Sequence, residues 1–366
     1  MALYHHSNEK YEVAASNAAK SAREKLQKLI DDGRANAMGV IDKIQNEVPQ
    51  DKIVKAPVMH FDANEGGLVI EVGDEQNTVH KHAMGQLAER GGMPIAYVND
   101  LDTRGMWGKQ LLAHNLNEIY KHQDKERYLL RSYNRQLRAC LSNRFRRLDS
   151  RPILDAYAKR CQEVGAIPIQ GYGTDTRVAI KAVLPMVFEP VANEVLAYGV
   201  VWGNSDYGAG ALSVREFILR LWCTNYAITE ETLREVHLGG RLTEDDIWSA
   251  RTYELDTKRS ASMVSDALGK ALTPGRVNEI MAGIKAADEE KVDPKQVATY
   301  LKKHLGVGDA KTVIEAFASA DIENLPAGQS KWRLSNAISW IAGKQTDADK
   351  KMDMMKLAGS ALKMAA

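Results

Sequence analysis

Arg177-Val-Ala-Ile-Lys-Ala-Val-Leu184 alternates basic and apolar positions, and this alternation predicts a strand with one face toward a core. Pro185 and Pro190 then flank a short apolar segment, and the β-rich run 196–202 follows. Prolines tend to stand at strand ends or edges because they donate no backbone hydrogen bond. The middle of the chain therefore predicts three consecutive strands in an antiparallel sheet.

Helices are predicted on both sides of these strands. Residues 152–164 have a helical pattern. After a glycine-rich loop, Ser213-Val-Arg-Glu216 has the form of a capping box, in which the serine and glutamate satisfy the first amides of a helix. The helix that it would open contains Phe217, Ile218, Leu221 and Trp222. The order α-β-β-β-α predicts an α+β fold, an antiparallel β-sheet with packed helices.

The two ends of the chain have predominantly helical patterns. Residues 8–47 predict one or two surface helices. A short strand is predicted at 68–72, and Thr78 is expected to cap a following helix. Thr273 and Asp293 each precede a proline, which is typical of a helix start. These patterns predict three parts: an N-terminal helical region (1–60), an α+β core domain (61–240) and a helical C-terminal region (241–366).

The composition excludes several classes of protein. The chain has 366 residues, 49 of them basic and 48 acidic, and 44% are hydrophobic, as in an ordinary globular protein. Its longest apolar run, 195–202, is far shorter than the roughly 20 residues of a membrane helix. The first residues have no signal-peptide pattern, and three widely spaced cysteines exclude a disulfide framework. We expect a cytoplasmic protein without a membrane partner, located in the host cytoplasm if a phage encodes it.

The strongest functional signal is a basic segment, which we define as residues 127–151. It contains eight arginines and one acid, Asp149, so it carries +7 while the whole chain carries +1. Such a local excess of positive charge attracts polyanions. Tyr128, Tyr133 and Phe145 are interleaved with the arginines, and aromatic rings beside guanidinium groups suit single-stranded nucleic acid. The basic segment therefore predicts nucleic-acid binding.

The same segment also has a structural interpretation. Arginines can pair with acidic residues elsewhere in a fold, and aromatic residues at alternate positions can belong to a core. The stretches 129–133 and 137–141 predict a β-hairpin around Asn134-Arg-Gln136. A helix would instead place Arg131, Arg135 and Arg138 on one face. The hairpin is the preferred interpretation.

Motifs for phosphate, dinucleotide and metal binding are incomplete. A phosphate loop ending at Lys311-Thr312 lacks both of its glycines. Gly208-Ala-Gly210 approximates a dinucleotide-binding loop without its third glycine, and it favours flexibility ahead of a helix whose amides could hold a phosphate. His80 and His82 have no third histidine or cysteine nearby. We predict no catalytic residue, no metal and no cofactor.

Four segments of the chain form a distinctive set. They are Arg138-Ala-Cys-Leu-Ser-Asn-Arg-Phe-Arg-Arg-Leu-Asp149, His82-Ala-Met-Gly-Gln-Leu87, Gly203-Asn-Ser-Asp206 with Ala211-Leu-Ser-Val214, and Trp332-Arg-Leu-Ser-Asn-Ala-Ile338. This set resembles a family of phage- and plasmid-borne proteins, the phage/plasmid-like proteins of uncharacterised function. The resemblance spans residues 65–362, and the family name implies no function.

A second resemblance concerns architecture. The order of strands and helix across 177–226 is similar to the β-β-β-α core of phage strand-annealing recombinases of the Red-beta and RecT type. This resemblance implies oligomers that act on single-stranded DNA without ATP, although fold does not fix function. Together with the basic segment, it predicts a single-stranded DNA-binding and strand-annealing protein of a phage or plasmid. We expect a homo-oligomer acting in DNA recombination, with RNA as an alternative ligand.

The residues expected to contact nucleic acid lie in the basic segment and in the central strands and predicted helix. They are Arg131, Tyr133, Arg135, Arg138, Arg144, Phe145, Arg146, Arg147, Arg151, Arg177, Lys181 and Arg215. Two alternatives from other classes stay open at the level of sequence. One is an enzyme acting on nucleic acids or nucleotides through scattered residues, and the other is a protein-binding anti-defence factor whose arginines meet an acidic partner.

Overall fold

The computed structural model describes residues 10–221, 225–237, 249–322 and 325–364 of the chain. Its helices are α1 (Asn17–Asn46), α2 (Lys81–Arg90), α3 (Ile95–Thr103), α4 (Gly105–Lys121), α5 (Ser150–Val164), α6 (Ala250–Ala271), α7 (Pro274–Glu289), α8 (Pro294–His304), α9 (Val307–Ala318), α10 (Lys331–Gly343) and α11 (Ala348–Ala361). Its strands are β1 (Gln50–Lys55), β2 (His60–Asn64), β3 (Gly67–Val72), β4 (Glu75–Val79), β5 (Arg127–Tyr133), β6 (Gln136–Ser142), β7 (Ile167–Gly173), β8 (Val178–Val183), β9 (Phe188–Val191), β10 (Glu194–Asn204), β11 (Leu212–Arg220) and β12 (Asn225–Glu235). Helices pack on two largely antiparallel sheets, which confirms the α+β class.

Residues 50–142 form the first unit, whose six-stranded sheet has the order β1-β5-β6-β4-β3-β2. Neighbouring strands are antiparallel except β4 and β6. The predicted hairpin is confirmed as β5 and β6, joined by Asn134 and Arg135 with φ of 49° and 58°. Positive φ at both turn residues matches the twist of a two-residue hairpin. Helices α2–α4 supply a separate core with this sheet, around Phe61 and Leu87.

The second unit contains a sheet in the order β12-β11-β10-β8-β7, with β9 paired to β10. The predicted strands at 177–184 and 196–202 are confirmed as β8 and β10, and the predicted helix 152–164 is confirmed as α5. Helices α1 and α5 cover one face, where Val40 packs beside Gly171 and the ring of Tyr157 lies 5.8 Å from that of Trp202. Helices α10 and α11 pack on β12 at the edge.

The helix predicted from Ser213 is wrong, because residues Leu212–Arg220 form strand β11 inside the second sheet. Strand β11 pairs with β10 on one side and with β12 on the other. The carboxylate of Glu216 caps no helix and instead accepts a 2.9 Å hydrogen bond from Arg276 of α7. A strand buried on both faces has a continuous apolar run, which periodicity alone does not separate from a helix. The loop 208–210 therefore leads into a strand and offers no helix amides to a phosphate.

Local capping signals gave correct starts where a proline accompanied them. Thr273 and Asp293 are the N-caps of α7 and α8, as predicted. Thr78 is wrong as a cap, because β4 continues through Val79 and His80 is the N-cap of α2. The backbone N–H of Thr78 donates to the carbonyl of Arg135, so sheet pairing uses the group that a helix start would have left free.

The hydrophobic cores divide the chain differently from the predicted boundaries. The predicted boundary after residue 60 falls inside the first sheet, which contains both β1 and β2. Helix α1 belongs to the core of the second unit, where Leu26 and Ile44 are buried with residues of β7, β8 and α10. The second predicted boundary, after residue 240, lies outside the described residues. The predicted α+β core is therefore two units, and the N-terminal helix packs with the second.

Helix α1 approaches β7 so closely that Gly33 has no room for a side chain. A Cβ atom on Gly33 would lie 1.8 Å from the carbonyl oxygen of Ile169, whereas one on Gly39 of the same helix would meet nothing within 4 Å. We expect Gly33→Ala to lower the free energy of unfolding by about 1–3 kcal/mol through overpacking. Gly39→Ala should raise it by about 0.5–1 kcal/mol. Urea unfolding of both variants tests this, and equal effects would contradict the docking of α1.

Candidate nucleic-acid interface

The basic segment lies at the junction between the two units. Strands β5 and β6 belong to the first sheet, and the chain then enters α5 of the second unit. The loop between β10 and β11 meets β5 and β6 here, where Leu129, Leu141, Phe145 and Tyr207 form a small apolar cluster. The arginines of the segment therefore lie between two folded bodies, and their exposure decides whether they can bind a polymer.

Arg131 is buried in ion pairs at this junction. Its side chain is 1% exposed, and Nε donates to Oδ1 of Asp51 at 2.7 Å while Nη2 donates to Oδ1 of Asp149 at 2.6 Å. Nη1 donates to the carbonyl oxygen of Asp206 at 2.7 Å. Burial lowers the pKa of Arg131, but the carboxylates of Asp149 and Asp51 outweigh burial and raise the pKa above its ordinary value. Arg131 is not available to a nucleic acid.

Arg138 is held within the fold by a carboxylate and two aromatic rings. It is 7% exposed, and its Nη1 donates to Oε2 of Glu47 at 2.8 Å. Its guanidinium carbon lies 4.9 Å from the ring centroid of Tyr133 and 5.5 Å from that of Tyr207. Such cation–π contacts add to the ion pair. The guanidinium of Arg138 is therefore engaged within the fold, and the half-buried ring of Tyr133 is one of its partners.

Arg146 and Arg147 pair with acids from distant parts of the chain. Arg146 donates to both carboxylate oxygens of Asp256, at 2.7 and 2.8 Å, and to Glu235 at 2.8 Å. Arg147 Nε lies 3.2 Å from Oδ2 of Asp51. Bidentate pairing with a carboxylate uses the same donors that would bind a phosphate. The structural interpretation therefore holds for four of the predicted arginines, namely Arg131, Arg138, Arg146 and Arg147.

Phe145, predicted to stack on bases, has its ring inside the fold. Its side chain is buried, and its ring is parallel to that of His237 at a centroid distance of 4.8 Å and an angle of 1°. Nδ1 of His237 lies 2.9 Å from the carbonyl oxygen of Arg146, and Nε2 lies 3.2 Å from Oδ1 of Asn204. The ring of Phe145 thus already stacks on an aromatic partner inside the protein.

Three predicted arginines of the basic segment remain exposed, and they do not form one patch. Arg135 lies in the hairpin turn, and Arg144 follows the far end of β6. Because a strand rises about 3.4 Å per residue, these two arginines are separated by about 20 Å. Arg151 donates to Oε1 of Gln45 on α1. These residues can add long-range attraction but do not define a compact site.

The second sheet brings the other predicted cations together on one face. Lys181 of β8 pairs with Val201 of β10, and Val201 pairs with Arg215 of β11. Directly paired residues of antiparallel strands have side chains on the same face. Tyr172 of β7, 46% exposed, pairs with Ala179, two residues before Lys181. The face opposite α1 and α5 therefore carries the exposed ring of Tyr172 and two partly buried cations, with the buried Val201 between them.

We define the open face by its aromatic and cationic residues, of which Tyr172, Arg177 and Arg234 are exposed and Lys181, Arg215 and Lys351 are partly buried. Arg177 is exposed immediately before β8, and the register places exposed Arg234 opposite Ser213 on the same face as Arg215. Lys351 of α11 lies near Lys181 at the border of this face. The register also places one acid, Glu231, opposite Arg215. The open face comprises Tyr172, Arg177, Lys181, Arg215, Arg234 and Lys351.

The surroundings of Lys181 shift the pKa of its ammonium group. Desolvation and the nearby charge of Lys351 lower its pKa to about 8. Its Nζ donates to Oε1 of Gln170 on the adjacent strand at 2.9 Å. A bound phosphate would compensate the repulsion between the two ammonium groups and raise this pKa. Because this pKa is about 8, a bound anion would increase the protonated fraction of Lys181 at slightly alkaline pH.

Sequence patterns missed part of the open face. Strand β7 contains Pro168, Gly171 and Gly173, a composition that is typical of a turn, so no strand was predicted around Tyr172. Gly171 is needed because a Cβ there would meet Val40 of α1 at 2.7 Å. The alternation that predicted β8 correctly also predicted that Arg177 and Lys181 face away from the core. Tyr172 pairs with Ala179 of β8, so its side chain lies on the same face as Arg177 and Lys181.

The segments that carry the family resemblance meet at the junction in a chain of hydrogen bonds. Nδ2 of Asn204 donates to the carbonyl oxygen of Leu148 at 2.7 Å and to Oγ of Ser150 at 3.0 Å. Oγ and the backbone N–H of Ser150 donate to Oδ1 of Asp206 at 2.7 and 2.8 Å. Burial, followed by the charge of Asp149, raises the pKa of Asp206 to about 6. These polar groups fix the start of α5 against the loop after β10 within the second unit.

The histidines weighed as metal ligands have other partners. Nδ1 of His80 accepts from the backbone N–H of His82 at 3.1 Å, and Nε2 of His82 lies 3.0 Å from the carbonyl oxygen of Tyr207. Across the described ranges, no three His, Cys, Asp or Glu side chains form a cluster that could hold a metal ion. Cys140 and Cys161 are buried and free, and Cys223 lies outside the described residues.

Comparisons with protein-family models, with curated proteins and with solved structures find no match to this chain. The resemblances to phage/plasmid-like proteins and to strand-annealing recombinases therefore stay predictions. None of the described helices could span a lipid bilayer.

The ion pairs of Arg131 predict a large effect on stability. Arg131→Ala would remove the buried partner of Asp149 and leave Asp51 with Arg147 alone, so we expect the free energy of unfolding to fall by about 3 kcal/mol. Arg144→Ala is the matched control from the same segment, with an exposed side chain and an expected effect within about 0.5 kcal/mol. Denaturant unfolding measures both. A fully stable Arg131→Ala variant with weakened nucleic-acid binding would contradict the structural role.

Proposed function

We propose that this chain binds single-stranded nucleic acid on the open face of the second sheet. The observation that carries the proposal is the alignment of Lys181 and Arg215 in one row, beside the exposed ring of Tyr172. Cations neutralise phosphates, and an exposed aromatic ring on a flat sheet is the platform on which unpaired bases stack. Duplex is disfavoured on such a face because its base faces are already stacked.

The dimensions of the open face support several contacts at once. Strands β8 and β11 are separated by β10, so the rows of Lys181 and Arg215 are about 10 Å apart. Arg177 lies four positions before Lys181, about 13 Å along the strand direction. A flexible single strand can follow such an arrangement of charges. The contacts are to phosphates and ring faces, so they favour binding without sequence preference.

A homo-oligomer is part of the proposal, because one face carries few contacts. Each contact on a single strand changes the logarithmic salt slope by about 0.7, so two to four contacts alone give modest affinity at physiological salt. Several linked faces on one polymer raise the effective concentration of each and hence the overall affinity. DNA in phage or plasmid recombination, strand annealing without ATP and a cytoplasmic location belong to the same proposal, with RNA as the alternative ligand.

The proposal predicts a specific change in salt dependence. In a variant with Arg177→Gln, Lys181→Gln and Arg215→Gln, up to three phosphate contacts disappear while the aliphatic packing is largely kept. We expect weaker binding to all single-stranded sequences and a salt slope flatter by about 2. The matched control is Arg135→Gln with Arg144→Gln, which removes exposed arginines outside the open face and should leave the slope unchanged. Fluorescence anisotropy with labelled oligo-dT at several salt concentrations measures both.

Two outcomes of this experiment would contradict the proposal. One is an unchanged slope in a folded triple variant, and the other is tighter binding of wild-type protein to duplex than to single strands of equal length. A slope that flattened in the control variant instead would return the binding site to the hairpin end of the basic segment. Circular dichroism of each variant shows whether the fold is retained.

The lowered pKa of Lys181 predicts that binding depends on pH. Phosphate contact needs the protonated ammonium, and the free protein loses this proton as the pH rises through about 8. Binding above that pH therefore requires proton uptake, and we expect the affinity for oligo-dT to fall about tenfold between pH 7 and pH 9. Lys181→Arg keeps its charge over this range and should bind with little pH dependence. The same decline in wild type and Lys181→Arg would remove Lys181 from the interface.

A further inference from the structure

Helix α4 of the first unit carries an exposed stripe that no contact described above uses. We define the α4 stripe as Arg104, Trp107, Leu111, Asn115 and Glu118. Trp107 is 55% exposed and Leu111 is 38% exposed, on a helix whose other face is buried. The guanidinium carbon of Arg104 lies 5.7 Å from the ring centroid of Trp107, so Arg104 extends the stripe just before the helix begins.

The spacing of the α4 stripe is the same in both directions. Its members follow one another at intervals of three, four, four and three residues, which places them on one face of a helix. Leu111 is the midpoint, and a cation and an anion stand seven residues away on either side, as Arg104 and Glu118. A surface with this pattern is complementary to itself when turned through 180°.

We propose that the α4 stripe is a two-fold self-association surface, on which α4 packs antiparallel to α4 of a second copy of this chain. In an isologous contact, residue i of one copy meets residue j of the other and residue j meets residue i. Leu111 then faces Leu111 of the second copy, and Arg104 faces Glu118 of the second copy twice over. Trp107 faces Asn115 of the second copy, and the two indole rings flank the central leucines.

Neighbouring side chains enlarge the apolar part of this surface. Ile95 and Tyr97 of α3 are 51% and 40% exposed, and Met106 is 38% exposed. Tyr97 adjoins the stripe, because its hydroxyl accepts a 3.1 Å hydrogen bond from Nδ2 of Asn115. Exposed apolar patches that include a tryptophan are typical of protein interfaces, where tryptophan is enriched among the residues that dominate affinity.

The charged ends of the stripe are free to change partners. Arg104 Nε lies 2.7 Å from Asp100, and Glu118 lies 3.8 Å from Lys121, both within the same helical layer. All four side chains are at least half exposed. Exposed pairs of this kind contribute little to stability, so exchanging them for pairs across an interface costs little.

A charge-exchange experiment tests the two-fold geometry directly. Arg104→Glu and Glu118→Arg each turn two attractive contacts into repulsive ones, so each variant alone should self-associate about tenfold or more weakly than wild type. An equimolar mixture of the two variants restores both attractive contacts, since each copy then meets its opposite charge. The double variant Arg104→Glu/Glu118→Arg restores them within identical copies. Sedimentation equilibrium without nucleic acid measures all four samples and wild type.

The expected result is dimer formation in wild type, in the mixture and in the double variant, with weakened association in each single variant. Wild-type protein that stays monomeric at 100 µM would overturn the proposal, and so would a mixture no stronger than its components. Lys109→Glu, on α4 but outside the stripe, is the control and should associate like wild type. The inference deepens the homo-oligomer part of the proposed function. Because no nucleic acid is present, its failure would leave binding at the open face intact.

Discussion

The buried guanidinium of Arg131 is the constraint on which the arrangement of the two units depends. An uncompensated charge is very unfavourable in a protein interior, so partners must be held in place around it. Asp51 comes from β1 of the first sheet, Asp149 is the N-cap of α5, and the carbonyl of Asp206 comes from the loop after β10. Because these groups come from both units, satisfying one side chain fixes how the two sheets meet.

The sequence of the basic segment predicts its local structure but not the partners of its arginines. Its hairpin was predictable, because alternation and a two-residue turn are local signals that the chain obeys. The partners of its arginines were not, since Asp51, Glu47 and Asp256 are 80, 91 and 110 residues from Arg131, Arg138 and Arg146. Four of the eight arginines in this segment are thus held in internal ion pairs. Burial, which only the fold provides, separated structural arginines from available ones.

The misassigned strand β11 has a related cause. Ser213 and Glu216 satisfy a helix-start pattern, and the apolar residues after them suit a buried helix as well as a buried strand. The competing information is non-local, because β10 and β12 supply hydrogen bonds along both edges of 212–220. Strand β7 was missed for the opposite reason, since its glycines weaken the local strand signal while permitting close packing of α1. The sequence therefore predicted the α+β class and the central strands β8 and β10, but not the adjacent strands β7 and β11.

The two proposed surfaces lie on different units. The junction between the units determines where one surface lies relative to the other. The open face belongs to the second sheet, and the α4 stripe belongs to the helical layer of the first. Because Arg131 of the first unit binds Asp149 and the carbonyl of Asp206 in the second, a two-fold axis at Leu111 would also set the separation and direction of two open faces. A nucleic acid bound at one face would then meet the second face at a high effective concentration. A flexible connection between the units would lower that concentration. In the proposed dimer, the ion pairs of the basic segment would therefore fix the distance and orientation between the two open faces.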